Sequence, residues 1–396
     1  MRVVIGANSL TGPLTGIGHY TLHLAQSLSR SGEIEELRLL SHGWLSPPAG
    51  DGLPRAQRRD HGNGGADSPS LPGTLRVWAA KNRAMVSAYD ALTAVVAAWS
   101  LRNYAPGDIF HSPDFQFAKF PGKKVVTIPD LSTLAYPEFH PPARVAYINR
   151  HIRRAVARAD HIVTISDFVK REIHDRLGVA LERITTIYPG VEGGFAPLPE
   201  AEFRRTNAVP AAQYGNYFLF VSTIEPRKNL GRLLEAYQRY LQSEGSGALP
   251  LIVAGLPGWH SDAIHRELAR LQRTGKVHYA GYLERGALRT LIAGARALLF
   301  PSLYEGFGLP VVEAMRSGTA VLTSRDSAMS EIAGEAALLV SPHDTREMAD
   351  NILRLHRDTA LREALVAAGL RVGAGFCWEK CARETVALYR ALASAR

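Results

Sequence analysis

Two clusters of charge in the second half of the chain have residue types and spacing suited to holding anions and sugars. The first is Ser302-Leu303-Tyr304-Glu305-Gly306-Phe307-Gly308-Leu309-Pro310-Val311-Val312-Glu313-Ala314, an apolar strand end, a glycine-bearing turn and a helix start. Pro310 suits a first helical turn, so the amides of Gly306, Phe307 and Gly308 fall near a positive helix end, where anionic or hydroxyl-rich ligands bind. Both glycines let a ligand approach the backbone closely. Glu305 at the sheet edge and Glu313 on the helix put two carboxylates on one crevice, and carboxylates accept hydrogen bonds from sugar or ribose diols. The second cluster is Arg227-Lys228 within Ser222-Thr223-Ile224-Glu225-Pro226-Arg227-Lys228-Asn229-Leu230, again between a strand and a helix. A planar fork and a point charge there could clamp a diphosphate and offset the charge on a departing one. Taken singly, Glu313 also reads as a solvated helix residue and Arg227-Lys228 as a surface pair; their company in one half of the chain favours chemistry.

The first half adds weaker signals. Thr15-Gly16-Ile17-Gly18-His19-Tyr20 follows the first strand and opens a helix, where backbone amides can meet phosphate or simply pack tightly. A dinucleotide fingerprint fails here, because Thr21 replaces the third glycine and the second strand ends Leu40-Ser41-His42 with no acid for a ribose. Asp130, at the end of another strand, is a candidate catalytic carboxylate or a turn cap. His111 and Ser132 are candidates for the side that receives the transferred group. Cys377 and Cys381 suit neither a disulfide framework nor a zinc site and read as two packed thiols. No Asp-x-Asp motif occurs, so no metal is expected to bridge a diphosphate.

These residues need a scaffold, and 396 residues exceed what one core organises, so two domains are expected. Short apolar runs alternate with amphipathic stretches throughout, the pattern of parallel sheets covered by helices, so the class is α/β. Strands are expected at 2–6, 37–41, 108–111, 124–128, 161–165 and 184–187, and helices near 18–30, 76–100, 142–158 and 167–177. Residues 47–73, crowded with Gly, Pro, Asp and Ser, read as a mobile loop near a site mouth. Residues 189–215, with Pro197, Pro199 and Pro210, read as an interdomain linker without periodicity. The alternation then restarts at 217–221, 251–254, 277–279, 297–300, 320–323 and 337–340, and a last helix runs from about 378 to 393. Lys and Arg outnumber Asp and Glu by 46 to 37, and the net charge of +9 favours anionic partners. No RNP motif, zinc-finger spacing or arginine-rich tail supports nucleic acid among them. No apolar run approaches the ~20 residues that span a bilayer, and the N-terminus lacks a signal peptide's layout; a cytoplasmic protein is expected.

Together, the stretches around Gly16, Asp130, Arg227 and Glu305 resemble the GT4 family of retaining glycosyltransferases across nearly the whole chain. The resemblance implies a GT-B fold, two Rossmann-like doubly wound domains facing across a cleft. It places an acceptor-side domain at 1–196, a nucleotide-sugar donor domain at 215–376 and, at 377–396, a helix that can cross back to the first domain. It assigns Glu305 to the donor sugar's hydroxyls, Glu313 to the ribose, and Arg227 and Lys228 to the diphosphate. Gly16, Ile17 and Gly18 then face the diphosphate from the other domain, and Tyr282 and Leu283 lie against the base. Thr223, Gly306, Phe307, Gly308 and Leu309 complete the donor side. One departure stands out: where such proteins often read His-Asp-Leu-Ser, this chain has Pro129-Asp130-Leu131-Ser132, and proline has no side-chain donor or acceptor to offer.

The resemblance further implies no cofactor beyond a nucleotide-diphosphate sugar as co-substrate, and no metal. GDP-mannose is the expected donor, with a UDP- or dTDP-sugar left open, and a glycan or lipid-linked saccharide of a polysaccharide such as lipopolysaccharide the acceptor. The basic helix 150–158 offers a peripheral contact with the inner face of a membrane, or is a solvated face. Two alternatives stay open on the residues alone: a GT-B-like sugar-nucleotide epimerase, and a non-catalytic nucleotide-sugar or glycan-binding module.

Overall fold

The computed structural model of the protein describes residues 1–11, 16–48, 83–115 and 117–394. Its first half builds β1 (Arg2–Gly6), α1 (Gly16–Arg30), β2 (Glu36–Ser41), β3 (Trp44–Ser46), α2 (Arg83–Ser100), β4 (Ile109–Ser112), β5 (Lys123–Ile128), α3 (Ser132–Ala135), α4 (Pro142–Arg158), β6 (His161–Thr164), α5 (Asp167–Leu177) and β7 (Ile184–Thr186). The strands join in the order β3-β2-β1-β4-β5-β6-β7, parallel except for β3. The apolar runs form strands because helices cover both faces, so that Val3, Val4 and Ile5 of β1 are all fully buried.

The second half builds α6 (Glu200–Thr206), β8 (Phe218–Val221), α7 (Leu230–Glu244), β9 (Leu251–Ala254), α8 (Asp262–Gln272), β10 (Val277–Gly281), α9 (Arg285–Ala293), β11 (Ala297–Phe300), α10 (Leu309–Arg316), β12 (Ala320–Ser324), α11 (Ala328–Ala333), β13 (Leu338–Val340), α12 (Thr345–Arg357), α13 (Thr359–Gly373) and α14 (Trp378–Ser394). Its parallel sheet runs β10-β9-β8-β11-β12-β13. In both sheets the strand order reverses beside the first strand, between β1 and β4 and between β8 and β11. Loops leaving the carboxyl ends there diverge and open a crevice. Helix boundaries follow local chemistry: Ser166 accepts the amide of Val169 to start α5, and Gly178 at φ 66° ends it.

Several elements depart from the sequence expectations. The edge strand β3 escaped notice because three residues carry no periodicity; it returns on β2 through a two-residue turn in which His42 and Gly43 both have positive φ. The stretch expected to lack elements contains α6, whose Phe203 is 2% exposed and packs with Val209, Ala212 and Tyr217 in the second core. Upstream, Val191 and Phe195 join the same core. The first helix starts at Gly16 rather than Gly18, and the long helix is described from Arg83. Of the loop read at 47–73, residues 49–73 lie outside the described residues, as do 12–15 and the first part, 76–82, of the helix expected at 76–100. The last helix crosses to the first half: Trp378, Cys381, Val386 and Tyr389 pack with Val3, Ile5 and Leu24. Cys381 is buried, which pushes its thiol up to about 12, and Cys377 is half-buried; both are free thiols.

Candidate active site

The loops after β8 and β11, neighbours at the switch in the second sheet, bring Arg227, Lys228 and Glu305 together. Arg227 and Lys228 share one 3-10 turn, Pro226–Lys228, entered from an extended Glu225 and left through Asn229 at φ 62°. Asn229 anchors the turn by donating to the carbonyls of Pro301 and Pro342. Arg227 lies 2.7 Å from Glu225 Oε1 through Nη2 and 3.2 Å from Glu305 Oε2 through Nη1. Lys228 Nζ lies 2.5 Å from Glu305 Oε1. Two cations thus face two carboxylates, with side-chain exposures of 13% for each cation, 11% for Glu305 and 3% for Glu225.

Burial and charge oppose one another here. Burial would raise the Glu305 pKa, but Lys228 and Arg227 more than offset it, and the carboxyl titrates below its ordinary range. Burial and the neighbouring Arg227 push the Lys228 ammonium down, against the pull of Glu305. The Arg227 guanidinium loses from burial and gains more from Glu305, Asp130 and Glu225, so it stays charged. A diphosphate entering this group would find fixed donors in a partly dry setting, where they count for more than in water.

Glu313, on α10, belongs to a second ion-pair group. Its carboxylate is 3.3 Å from Arg285 Nη2, on α9, and burial raises its pKa. Between the two carboxylates runs the glycine turn. Gly308 has φ 95°, and a Cβ there would stand 2.7 Å from Met329 Cγ, so both conformation and space require glycine. A Cβ on Gly306 would lie 1.9 Å from the Pro129 carbonyl oxygen. That contact joins the two halves. Pro129 thus contributes its backbone, packed on the turn, where the resemblance would place a histidine side chain. Phe307 is 3% exposed and meets Phe376 edge-on, with ring centroids 5.5 Å apart, so its ring serves the core. Leu309 and Leu283 are half-buried, Thr223 is exposed, and Tyr282 is 66% exposed.

From the first half, Asp130 is half-buried beside this centre and contributes to holding Arg227 charged, while its Oδ1 accepts the Ser132 amide at 2.8 Å. It is therefore both a turn cap and a carboxylate near the cations. Ser132 is 6% exposed in the first turn of α3. Gly16, Ile17 and Gly18 form the first turn of α1, with Gly16 exposed, Ile17 half-buried and Gly18 buried. His111 is not brought to the cleft. It is fully buried on the central strand β4, with Nδ1 2.5 Å from Tyr389 Oη of α14 and Nε2 2.7 Å from Thr127 Oγ1. Burial pushes its pKa down to about 3, so the ring is neutral and both nitrogens are engaged. The acceptor-side expectation for His111 gives way to a core role, which the last helix creates from 278 residues away.

Sequence reasoning missed the residues that close the cleft. Tyr304 Oη accepts the Leu131 amide at 2.9 Å and donates to Glu172 at 2.5 Å. Ser166 Oγ donates to the Gly306 carbonyl at 2.7 Å, and Glu331 caps α5 by accepting the amides of Asp167 and Phe168. Trp259 Nε1 donates to the Phe139 carbonyl at 2.6 Å and packs beside His140, a residue 5% exposed that senses Arg227, Glu225 and Asp130 electrostatically. Nothing in spacing announces such pairs, because each joins residues more than a hundred positions apart. A Trp-Nε1 or Tyr-Oη in a loop at a sheet's carboxyl edge was the available signal.

Comparison with known proteins shows the family and the fold. Residues 14–192 match the model described as Glycosyltransferase Family 4, and residues 204–372 match Glycosyl transferases group 1. The chain is 33% identical over 392 residues to the O-antigen chain mannosyltransferase B of Escherichia coli, covering 99% of this chain and 100% of that protein. Among solved structures it resembles the sucrose-phosphate synthase of Thermosynechococcus elongatus, with TM-score 0.71 at 19% identity over all of both chains. It also resembles Alr3699/HepE of Anabaena, solved with UDP, with TM-score 0.68 at 14% identity over 99% of this chain and 100% of the other. These likenesses show the GT-B fold.

Proposed function

The chain belongs to family 4 of the glycosyltransferases, and from that premise we propose that it is a retaining mannosyltransferase that transfers mannose from GDP-mannose to a lipid-linked polysaccharide acceptor. The observation that carries the chemistry is the Arg227–Lys228–Glu305 group at the switch point; the full-length likeness to an O-antigen mannosyltransferase supports the sugar and the pathway class. In this reading the bond from the anomeric carbon to the diphosphate breaks as the acceptor oxygen attacks from the same face. The acceptor's hydroxyl proton passes to the departing phosphate oxygen. Arg227 and Lys228 hold the diphosphate and neutralise its growing charge, and the amides of the α1 first turn face it from the other half. Glu305 orients the sugar by accepting its hydroxyls, Glu313 accepts those of the ribose, and Tyr282 with Leu283 borders the base. Tyr304, Ser166 and Trp259 hold the halves closed, which keeps water from the donor. No metal is required, because the two cations do its work.

Calorimetry with GDP, UDP and dTDP, followed by transfer from GDP-mannose with EDTA present, tests this. A preference for GDP and transfer unaffected by EDTA are expected; preference for another base, or activity lost to EDTA and restored by manganese, would overturn the donor or the metal-free part.

The acceptor's lipid also gives α4 a role. Residues 142–158 contain no Asp or Glu, and Arg150, Arg153, Arg154 and Arg158 are exposed with no carboxylate partner among the described residues. Cavities of about 430 Å³, lined in part by Phe117, Lys119 and Arg158, and about 300 Å³, lined in part by Arg153, Leu177 and Arg183, flank this face. Cations above apolar floors suit anionic lipid headgroups, each worth about 1 kcal/mol near such a surface. Among the described residues no helix is long and apolar enough to cross a membrane.

A further inference from the structure

Reading Glu313 as the ribose ligand raises a physical difficulty, and the resolution lies in a residue that neither motif contains. A carboxylate accepts both hydroxyls of a diol only while ionised. Glu313 is 4% exposed, and burial together with the nearby Glu192 favours its neutral form. The opposing charges both come from α9, Arg285 and Arg289. Arg289 is committed elsewhere, with Nη2 2.8 Å from Glu192 Oε1. Arg285 bridges the two carboxylates: its Nε donates to Glu192 Oε2 at 2.7 Å, and its Nη2 lies 3.3 Å from Glu313 Oε1. Its guanidinium also lies over the Phe195 ring, 5.1 Å from the centroid. Three contacts therefore fix a side chain that has many rotamers when free. It follows Tyr282-Leu283 by two residues in sequence and opens its helix, so strand β10 and the turn after it set its position. Across from it, His19 and His23 of α1 complete the titratable surroundings. Burial lowers both imidazoles and Arg285 adds to the lowering, so neither supplies a competing cation at neutral pH.

We propose that Arg285 is the positioning residue of the nucleoside subsite: pinned by Glu192 and Phe195, it supplies the counter-charge that keeps the Glu313 carboxylate ionised and oriented for the two hydroxyls of a ribose. The proposal rests on the ribose role given to Glu313 above. Its ligand class is a ribonucleoside diphosphate with a free 2′,3′-diol, and its signature is discrimination against the 2′-deoxy form. The sign follows from linkage. Ribose preference is present above the Glu313 pKa and lost as pH falls through it; removing Arg285 moves that loss to higher pH.

The test is calorimetric binding of GDP and 2′-deoxy-GDP to the full chain from about pH 6 to about pH 9, for the unaltered protein and for Arg285→Met, Arg285→Gln, Arg285→Lys and Glu313→Gln. The unaltered protein should prefer GDP by about tenfold, the worth of a hydrogen bond to a charged group. Glu313→Gln should abolish the preference at every pH. Arg285→Met should move the loss of the preference to higher pH than in the unaltered protein, with little change in 2′-deoxy-GDP binding, whereas Arg285→Lys should leave the profile in place. Arg285→Gln, which keeps a donor for Glu192, carries the same expectation if the Met variant fails to fold. Preference retained in Glu313→Gln would overturn the ribose reading itself. Preference lost in Glu313→Gln but unchanged, with an unchanged pH profile, in both neutral Arg285 variants would overturn this proposal and leave the ribose reading standing.

Discussion

The Lys228–Glu305 contact gives a sharp energetic expectation, because both groups are about seven-eighths shielded from solvent and meet at 2.5 Å. At an effective dielectric of about 20, unit charges about 3 Å apart attract by about 5 kcal/mol. Desolvation of the two ions returns several kcal/mol of that, so the pair contributes little net stability, yet breaking it from one side strands the other charge at a cost of about 3 kcal/mol. Lys228→Met leaves Glu305 with Arg227 alone, at 3.2 Å. Glu305→Gln leaves Lys228 beside a like-charged Arg227. Each single change should therefore destabilise by about 3 kcal/mol, and the double change, which strands neither charge because Arg227 keeps Glu225, by little rather than by about 6, a coupling that approaches about 6 kcal/mol. Urea unfolding at neutral pH, followed by tryptophan fluorescence, measures the cycle. Because Glu305 titrates below its ordinary 4.5, the contribution of its charge is present above that value and fades as pH falls through the lower folded value. The coupling should fade in step. Single-change costs that sum within about 0.5 kcal/mol in the double variant would refute the reasoning, since independent sites add.

Two further outcomes are expected. His111 binds a proton only near pH 3 in the fold against about 6.5 unfolded, so the unfolded chain binds more protons between those values and stability falls as pH is lowered across them. Replacing it by Gln should flatten the acid limb of a stability–pH curve and leave the pH dependence of transfer between about pH 6 and pH 9 unchanged; loss of a kinetic pKa in that range would return His111 to the cleft. Changing Arg150, Arg153, Arg154 and Arg158 together to Gln should weaken sedimentation with anionic vesicles by about a hundredfold or more at low salt, at about 1 kcal/mol per cation, with GDP binding intact. Equal sedimentation would make α4 a solvated face.

The alternation of apolar runs announced two doubly wound halves, since strands covered on both faces must be continuously apolar and short. The turn motifs around Arg227, Glu305 and Gly308 were legible for a related reason: local backbone geometry at a strand-to-helix turn demands particular residues at fixed spacing. Three-residue β3 and seven-residue α6 were not legible, because elements that short carry no period and are held by what they pack on, β2 for one and the Phe203 pocket for the other. His111 illustrates the opposite error. A polar residue at the end of a strand looks like a site residue until a helix 278 positions later covers it.

Composition and spacing alone determined the fold class, the two-part organisation and the loops that gather charge, all consequences of interactions between residues close in sequence. Only the tertiary structure decided which charges meet. It paired Lys228 with Glu305 and Arg285 with Glu313, withdrew His111 into the core, and set Tyr304, Glu331 and Trp259 across the cleft. The reason is that burial and Coulomb attraction depend on distance in space, and the chain brings those partners together only after both sheets have formed.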